Sequence, residues 1–372
     1  MMKNVREGFF IAFMTLTMGL PAHAGVGTEG ASFLNIPVGA GPAALGGAYT
    51  ALADDVYAPT FNPGGLGAVQ SNQFSAQHLS YLDSNHYEYF SFVHPMDRSP
   101  SCSAQSFCPS GSLGGSIQYF GSGDMTATNT SGQATGSFSS HFAAYNLSYG
   151  HTVGQKLSLG ITGKLINAKI DDVSANAYAV DLGSMYKVRE NLTLAATLTN
   201  LGTKLTFLSE GDSLPLSAHF GAAYRPNNSL QLTAEGIYRK TGLASGHAGV
   251  EWRPMPMIAL RGGYRTDTTK GLSPMAGLTT GIGLEVWGQE LSYAWLPLGE
   301  LGNTQYLSLL VRFGEADRQR RNLIYLRHDR KGEVVDNTTE MIERQQLMEL
   351  FDHDPEPYAQ APGSQTQPDS QK

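Results

Sequence analysis

The stretch LQLTAEGIYR, residues 230–239, alternates apolar and polar side chains with a period of two. On an extended chain, Leu232 and Tyr238 fall on one face, whereas Glu235 and Arg239 fall on the other. Successive side chains of a β-strand point to opposite faces of the sheet, so this pattern is typical of a strand with one apolar and one polar face. The stretch therefore predicts a strand that separates an apolar environment from a polar one.

The same alternation recurs along most of the chain after residue 72 and gives 14 candidate strands. Most have the roughly nine residues that a tilted membrane-crossing strand needs. The even number is typical of bacterial outer-membrane barrels. The predicted fold class is all-β, a membrane-spanning antiparallel β-barrel over residues 73–313. The candidate strands are 73–82, 87–96, 111–121, 137–150, 156–170, 176–188, 191–204, 216–225, 229–239, 246–253, 257–266, 275–286, 290–297 and 304–313.

A soluble β-sandwich shows the same alternation, but connection lengths and aromatic positions favour the membrane barrel. Short connections such as 189–190 and 226–228 alternate with longer ones such as 122–136 and 205–215. Outer-membrane barrels have this asymmetry between short periplasmic turns and longer extracellular loops. Aromatic residues also collect near the strand ends at two levels, as in an interfacial girdle. They are Tyr149, Tyr186, Tyr224, Trp252 and Phe313 at one level, and Tyr119, Tyr238, Tyr264 and Trp295 at the other.

The charged side chains of the predicted strands keep to the polar face. An Arg or Lys facing lipid at the bilayer midplane costs about 2–4 kcal/mol, so this face must point into the barrel. Opposite charges fall on neighbouring strands, which predicts a lumen crossed by ion pairs rather than an open pore. Scaffolding charges with no transport role are the alternative. The predicted lumen charges are Lys164, Glu235, Glu251, Arg261, Arg265 and Glu285.

Residues 1–24 have the pattern of a secretory signal peptide. Lys3 and Arg6 precede an apolar run over 9–20, and Ala22-His23-Ala24 forms a small-x-small cleavage site. The apolar run is shorter than the roughly 20 residues of a membrane-spanning helix, which argues against the alternative of an uncleaved anchor. We therefore expect an exported protein located in the bacterial outer membrane.

The two cysteines, Cys102 and Cys108, are close neighbours in sequence. In an oxidising compartment such a pair is expected to form a disulfide that closes a small loop. A metal or redox site is the alternative, but no cluster of histidines lies nearby. The sequence therefore favours a structural disulfide.

Composition and motifs point away from enzymes and nucleic-acid binders. Glycine is abundant, 43 of 372 residues, and only 15% of residues are charged, which suits strands and turns. A net charge of −7 argues against a nucleic-acid partner. The chain contains no G-x-S-x-G, H-E-x-x-H or P-loop motif. We expect no catalytic residues, no cofactor and no metal site.

Residues 25–72 precede the first predicted strand and differ from it in composition. Small residues allow a short helix to pack closely against strands, two adjacent aspartates can end that helix and meet lumen arginines such as Arg261, and an Asn-Pro-Gly-Gly sequence forces a turn. Side chains alone do not fill a 14-stranded lumen, so we expect a hatch folded inside it. A disordered periplasmic arm is the alternative. The residues predicted to shape the hatch are Gly46, Gly47, Asp54, Asp55, Asn62 and Pro63.

The stretch GTEGASFLNIPVGAGPAALGGAYTALADDVYAPTFNPGGLG, residues 27–67, resembles the N-terminal signature of the PorV/PorQ family. That family is related to the FadL-type outer-membrane transporters. The resemblance rests on the ALGGAYTALADD core and on the Asn-Pro turn that follows it. It implies a 14-stranded barrel with an N-terminal hatch. Two features depart from the family: Gly64 replaces an alanine, and 59 residues follow the last predicted strand.

The resemblance implies two modes of action. FadL-type relatives move hydrophobic molecules past the hatch, and PorV-type relatives dock secreted proteins at type IX secretion machinery. We therefore expect a barrel that acts in transport or secretion across the outer membrane. Its expected partners are outer-membrane lipid, a hydrophobic small-molecule cargo, and periplasmic or secreted proteins. A purely structural or adhesion-related barrel with no transported substrate is the alternative.

Residues 314–372 are predicted to form a periplasmic tail. A basic stretch is followed by a capping-type start at Asn337 and a weak apolar stripe, which together predict a short helix over 338–352. The Pro/Gln/Ser-rich end, 355–372, is expected to be disordered. The helix either docks on a partner or on the periplasmic rim of the barrel, or belongs to a solvated extension.

Overall fold

The computed structural model describes residues 29–82, 85–96, 111–268 and 273–314. The predicted signal peptide, the Cys102–Cys108 disulfide, and the tail with its helix at 338–352 lie outside the described residues, so they remain predictions. None of the described helices is long and apolar enough to cross a bilayer.

Strands form most of the described chain, and two of the predicted long connections contain strands of their own. The strands, in chain order, are β1 (Asn72–Ser80), β2 (His86–Pro95), β3 (Gly111–Gly121), β4 (Met125–Thr128), β5 (Ala134–Phe138), β6 (Ser140–Val153), β7 (Leu157–Ile170), β8 (Val173–Arg189), β9 (Leu192–Gly202), β10 (Lys204–Phe207), β11 (Glu210–Ser213), β12 (Ser217–Asn227), β13 (Leu230–Arg239), β14 (Ala244–Met255), β15 (Ile258–Arg265), β16 (Leu278–Val286), β17 (Gln289–Pro297) and β18 (Asn303–Phe313).

Fourteen of these strands form one closed antiparallel barrel, which confirms the predicted fold class. Each barrel strand pairs with its neighbour along the chain, and β18 pairs with β1 from Asn72↔Phe313 to Ser80↔Gln305. A closed sheet leaves no edge with unpaired backbone groups, and this is the condition for a β-structure to cross a bilayer. The other four strands form two separate hairpins, β4–β5 and β10–β11. The sequence analysis missed these hairpins because their strands are short and lack a sustained apolar alternation.

The two ends of the barrel differ in their connections. At the short-turn end, β8 joins β9 through residues 190–191, and β16 joins β17 through 287–288. At the long-loop end, the hairpin β4–β5 lies between β3 and β6, and β10–β11 lies between β9 and β12. The described connections therefore alternate in length as the sequence predicted, except that β7 joins β8 at the long-loop end through residues 171–172 alone.

The outer face is apolar and the inner face is small or polar. In β8, Leu182 is 46% exposed whereas its neighbour Asp181 is fully buried. In β13, Leu232 is 40% exposed and Glu235 is 5% exposed. Seven of the nine predicted girdle aromatics are exposed on the outer face, and Tyr119 and Tyr149 are half-buried. The strand pattern therefore reports which side of the barrel wall each residue occupies.

The N-terminal segment, residues 29–71, consists of short helices joined by turns. The helices are the 3₁₀-helix Ser32–Asn35, the α-helices Ala40–Ala44 and Ala58–Phe61, and the 3₁₀-helix Pro63–Ala68. Two further 3₁₀-helices, Pro274–Gly277 and Gly299–Leu301, lie in loops at the long-loop end. The first α-helix ends before Gly46 and Gly47, whose φ angles of 69° and 75° place them in the left-handed region that glycine tolerates.

Candidate functional site

The lumen is the candidate site, because the N-terminal segment packs there against the inward-facing side chains. Gly30 N–H donates to the carbonyl of Ser213 in hairpin β10–β11, at 3.0 Å. At the short-turn end, Thr152 Oγ1 donates to the carbonyl of Gly67 at 2.7 Å. The segment therefore runs from a contact with the long-loop end to a contact with the short-turn end.

Inward-facing polar side chains satisfy backbone groups of the N-terminal segment. Thr50 N–H donates to Glu235 Oε2 at 2.9 Å, and Ala40 N–H donates to Ser308 Oγ at 3.1 Å. Thr279 Oγ1 donates to the carbonyl of Ala44 at 2.8 Å. One-turn helices leave most of their N–H and C=O groups without intrahelical partners. The polar inner face of the barrel supplies those partners.

Asn62 fastens the turn in the middle of the segment. Its Nδ2 donates to the carbonyl of Thr50 at 2.9 Å and to the carbonyl of Ser184 in β8 at 3.1 Å. Its Oδ1 accepts from Gly64 N–H at 3.0 Å, and the whole side chain is buried. Pro63 begins the following 3₁₀-helix. A single amide thus joins two parts of the segment to the barrel wall.

Substituting Asn62→Asp is expected to loosen the segment without changing side-chain size. The carboxylate keeps the acceptor for Gly64 N–H but faces the carbonyls of Thr50 and Ser184 without a donor. Leaving such groups unpaired costs about 3 kcal/mol. Limited chymotrypsin digestion should cut the segment faster in this variant. The matched control, Asn129→Asp in an exposed turn, should digest like the wild type, and equal rates for Asn62→Asp would contradict the role assigned to its amide.

Three glycines of the barrel wall lie in direct contact with the Asn62–Pro63 turn. Gly150, Gly160 and Gly183 lie on the adjacent strands β6, β7 and β8. A Cβ at Gly150 or Gly160 would overlap the carbonyl oxygen of Pro63, and one at Gly183 would overlap Asn62 Oδ1. The backbone of the segment therefore lies directly on the backbone of the barrel, which only glycine permits here.

Aromatic rings line another part of the lumen. We use "aromatic wall" for the inward-facing Tyr87 and Tyr89 of β2, Phe120 of β3 and Phe142 of β6. Phe33 of the segment lies 5.8 Å from Phe142 and 6.5 Å from Tyr87 between ring centroids, and Tyr57 stacks on Tyr89 at 6.0 Å. The segment is thus held on one side by rings and elsewhere by polar groups.

The Arg261 network joins β14 to β18 through buried and half-buried ion pairs. Arg261 Nε donates to Glu251 Oε2, and its Nη2 donates to Glu290 Oε1, both at 2.6 Å. Arg312 lies 3.5 Å from Glu285. Three positive and three negative groups balance, so the network gives the lumen no net sign. Its members are Glu251, Arg253, Arg261, Glu285, Glu290 and Arg312.

Lys164 and Asp181 form a buried pair beside a bulge in β9. Lys164 Nζ lies 2.6 Å from Asp181 Oδ2 and donates to Asn200 Oδ1 at 2.9 Å. Asn200 has a φ of 62°, and its N–H donates to Asp181 Oδ1 at 2.7 Å. The β8–β9 register shifts between Val180 and Leu182. A bulge re-aims side chains locally, and here it places Asn200 against the ion pair.

The predicted lumen charges Glu235 and Arg265 have partners that the sequence analysis did not name. Glu235 Oε1 bonds His219 Nδ1 at 2.8 Å. Arg265 makes two hydrogen bonds to Asp267, of 2.7 and 2.8 Å. Asp267 lies beyond the end of β15, where strand periodicity gives no signal.

The structure divides the six predicted lumen charges between two places. Glu251, Arg261 and Glu285 belong to the Arg261 network. Lys164, Glu235 and Arg265 line a cavity shared with the N-terminal segment. Glu290 and Asp181 also face inward but escaped the sequence analysis, although Glu290 alternates with the inward Ser292.

The expectation that the aspartate pair meets Arg261 is wrong. Arg261 is fully engaged by Glu251, Glu290 and Ser292. Asp55 instead accepts from the N–H of Tyr57 at 2.9 Å, whereas Asp54 is half-buried. Gly41 of the first α-helix is the segment residue that lies against the Arg261 guanidinium.

A small cavity lies between the barrel wall and the N-terminal segment. The cavity lined by Lys164, Glu235 and Arg265 has a volume of about 70 Å³. Pockets for small molecules usually measure about 300–1,000 Å³. Within the described ranges, no group of three or more His, Cys, Asp or Glu side chains could hold a metal ion. A solute larger than a few waters can therefore pass through this cavity only if the segment moves.

The closed barrel and its apolar outer face define a β-barrel of the outer-membrane type. Residues 22–185 match the profile described as Uncharacterised protein family (UPF0164). The match includes the N-terminal segment and strands β1 to β7. A comparison with curated protein sequences gives no match.

Solved structures share the barrel fold. The CymD monoaromatic hydrocarbon channel is 12% identical, with a TM-score of 0.50, covering 75% of this chain and 98% of its own. The Pseudomonas putida toluene transporter TodX is 13% identical, with a TM-score of 0.49 and coverages of 74% and 96%. A Pseudomonas aeruginosa FadL homologue is 11% identical, with a TM-score of 0.44 and coverages of 73% and 96%. At these identities the likeness concerns the fold alone.

Proposed function

We propose that this barrel passes a hydrophobic small molecule across the outer membrane, and that the N-terminal segment is its hatch. The observation that carries the proposal is the aromatic wall facing Phe33 and Tyr57 inside the lumen. Buried rings along the lumen offer an apolar solute contacts that water does not offer. The CymD barrel, a monoaromatic hydrocarbon channel with the same fold, supports this choice of cargo.

The two kinds of contact made by the segment suggest how the hatch opens selectively. A hydrophobic molecule that displaces Phe33 from the aromatic wall replaces one apolar contact with another, so little free energy is lost. A polar solute cannot make this replacement and leaves the rings unpartnered. The hydrogen bonds on the other side, such as Thr50 to Glu235, keep the segment attached while it moves.

Removing a ring of the aromatic wall is expected to reduce uptake. We expect cells that express Phe142→Ser to take up a fluorescent naphthylamine probe several-fold more slowly, since a buried aromatic ring contributes about 1.5–3 kcal/mol. The matched control is Tyr145→Ser, because Tyr145 lies on the same strand but faces outward and is 48% exposed. Equal uptake by Phe142→Ser and wild type, at equal barrel levels, would exclude passage along this wall.

Docking of exported proteins is the second candidate function. The filled lumen favours it, because a docking barrel has no need of an open path. The resemblance of residues 27–67 to the PorV/PorQ signature also supports it. Purification from native membranes, followed by mass spectrometry of co-purified lipids and proteins, separates the candidates. Stoichiometric exported proteins without bound apolar molecules would favour docking.

A further inference from the structure

Asp55 is a buried carboxylate with no Lys, Arg or His side chain within 4 Å among the described residues, whereas the buried Glu235 bonds His219. Its carboxyl lies 2.7 Å from Tyr49 Oη and accepts from Tyr57 N–H at 2.9 Å. Side chains such as Asp181, Glu251 and Glu290 each lie within 4 Å of a Lys or Arg. A buried carboxylate without a paired charge is costly, so the group adjusts by binding a proton.

Charged and titratable groups surround Asp55 on several elements. Asp54, Tyr49 and Tyr57 belong to its own segment, and Tyr57 Oη accepts from Ser75 of β1 at 3.1 Å. Tyr89 faces it from β2, and Arg312 acts on it from β18. Arg312 is directed toward Glu285 of the Arg261 network, 3.5 Å away. The surroundings of Asp55 are therefore tyrosines, the neighbouring carboxylate of Asp54 and one distant cation.

We propose that Asp55 is a pH-sensitive latch, which holds the N-terminal segment in the lumen when protonated and releases it when ionised. The proposal rests on the proposed hatch role of the segment. Tyr49 and Tyr57, which bracket Asp55, both pack on other rings of the lumen: Tyr49 on Phe61, and Tyr57 on Tyr89. Hydration of the carboxylate requires these rings to separate. Ionisation of one group is thus coupled to the packing of the segment.

The expected direction follows from linkage. Burial raises the pKa of Asp55 from 3.8 to about 7, against the opposing hydrogen bonds from Tyr49 and Tyr57. In a released segment the carboxyl meets water and returns to its ordinary pKa. Below about pH 4 protonation of Asp55 stabilises the seated state to its full extent. From about pH 4 to about pH 7 the equilibrium constant for seating falls by about tenfold per pH unit. Above pH 7 both states are ionised and no further change is expected.

Hydrogen exchange of the full-length barrel in lipid nanodiscs tests the latch directly. Peptides covering residues 49–57 are followed from pH 4.5 to 8, and their rates are normalised to those of the unfolded peptides. We expect the opening equilibrium of the wild type to rise steeply up to about pH 7 and then to level off. In Asp55→Asn, which cannot ionise, the segment should stay protected at every pH. Asp54→Asn should keep the wild-type profile.

His219 bonds Glu235, which in turn accepts from Thr50 N–H, so the Asp55→Asn variant is needed to assign the pH effect to Asp55. A pH dependence of the exchange rates that persists in Asp55→Asn would overturn the proposal. A flat wild-type profile would overturn it even if the variant fails to fold. The hydrogen-exchange measurement does not require a transported molecule. The two proposals can therefore fail separately. If exchange follows the expected pH profile but Phe142→Ser leaves probe uptake unchanged, the proposed transport function is wrong and the latch proposal still holds.

Discussion

Gly160→Leu is expected to displace the N-terminal segment from its position in the lumen, so that the barrel conducts ions. A Cβ at Gly160 already overlaps the carbonyl oxygen of Pro63, and a leucine side chain extends further into the space of the turn. The Cβ is fixed to the backbone of β7 and the group it overlaps is the backbone carbonyl of Pro63, so no side-chain rotation relieves the overlap. The strand pairing of β7 with β6 and β8 does not involve the side chain and should persist.

Planar-bilayer recording of purified protein measures this effect. The wild type should be nearly silent, and the variant should conduct at least about tenfold more, because a barrel of this size without its filling leaves an aqueous channel. Gly163→Leu is the matched control. Gly163 lies on the same strand, faces outward, and its Cβ would have 4.0 Å to the nearest atom, the carbonyl oxygen of Leu147. Equal conductance of the two variants would show that the segment does not close the lumen.

Arg261→Ala is expected to lower the free energy of unfolding by about 3–5 kcal/mol, since it leaves two buried carboxylates without their shared cation. Glu251 and Glu290 both bond Arg261 at 2.6 Å, and Arg261 is only 8% exposed. Arg253 compensates only in part, because it already bonds Glu251 at 2.8 Å and Glu285 at 2.7 Å and lies 3.8 Å from Glu290. Urea unfolding in lipid vesicles, followed by tryptophan fluorescence, gives the measurement.

Arg225→Ala is a suitable control for the Arg261 experiment. Arg225 lies near the short-turn end and bonds only the neutral Gln231 among the described contacts, at 2.6 Å. Its loss should change stability by no more than about 0.5 kcal/mol. Combining Arg261→Met with Glu290→Gln should recover most of the lost stability, since two positive and two negative groups then remain and Glu251 keeps Arg253 as its partner. A loss below about 1 kcal/mol for Arg261→Ala would mean that water reaches the network.

Strand parity was predictable from the sequence because it is a local property. Whether Glu235 or Leu232 faces inward depends only on a period of two, and the apolar bilayer enforces that period on every spanning strand. The closed barrel and its alternating connections followed from the same signal. The hairpins β4–β5 and β10–β11 did not, because no bilayer constrains strands in the loops.

The amino-acid sequence by itself determined that the chain forms an antiparallel barrel, which residues face its lumen, and that an unusual segment precedes it. Only the tertiary structure decided which side chains contact each other in the lumen. Arg261 pairs with Glu290 rather than with Asp55, and Asp55 is left with Tyr49. These partnerships depend on the register accumulated around the whole barrel and on the path of the segment through it. Contacts between residues up to some 268 positions apart, such as Ala40 with Ser308, leave no periodic trace in the chain.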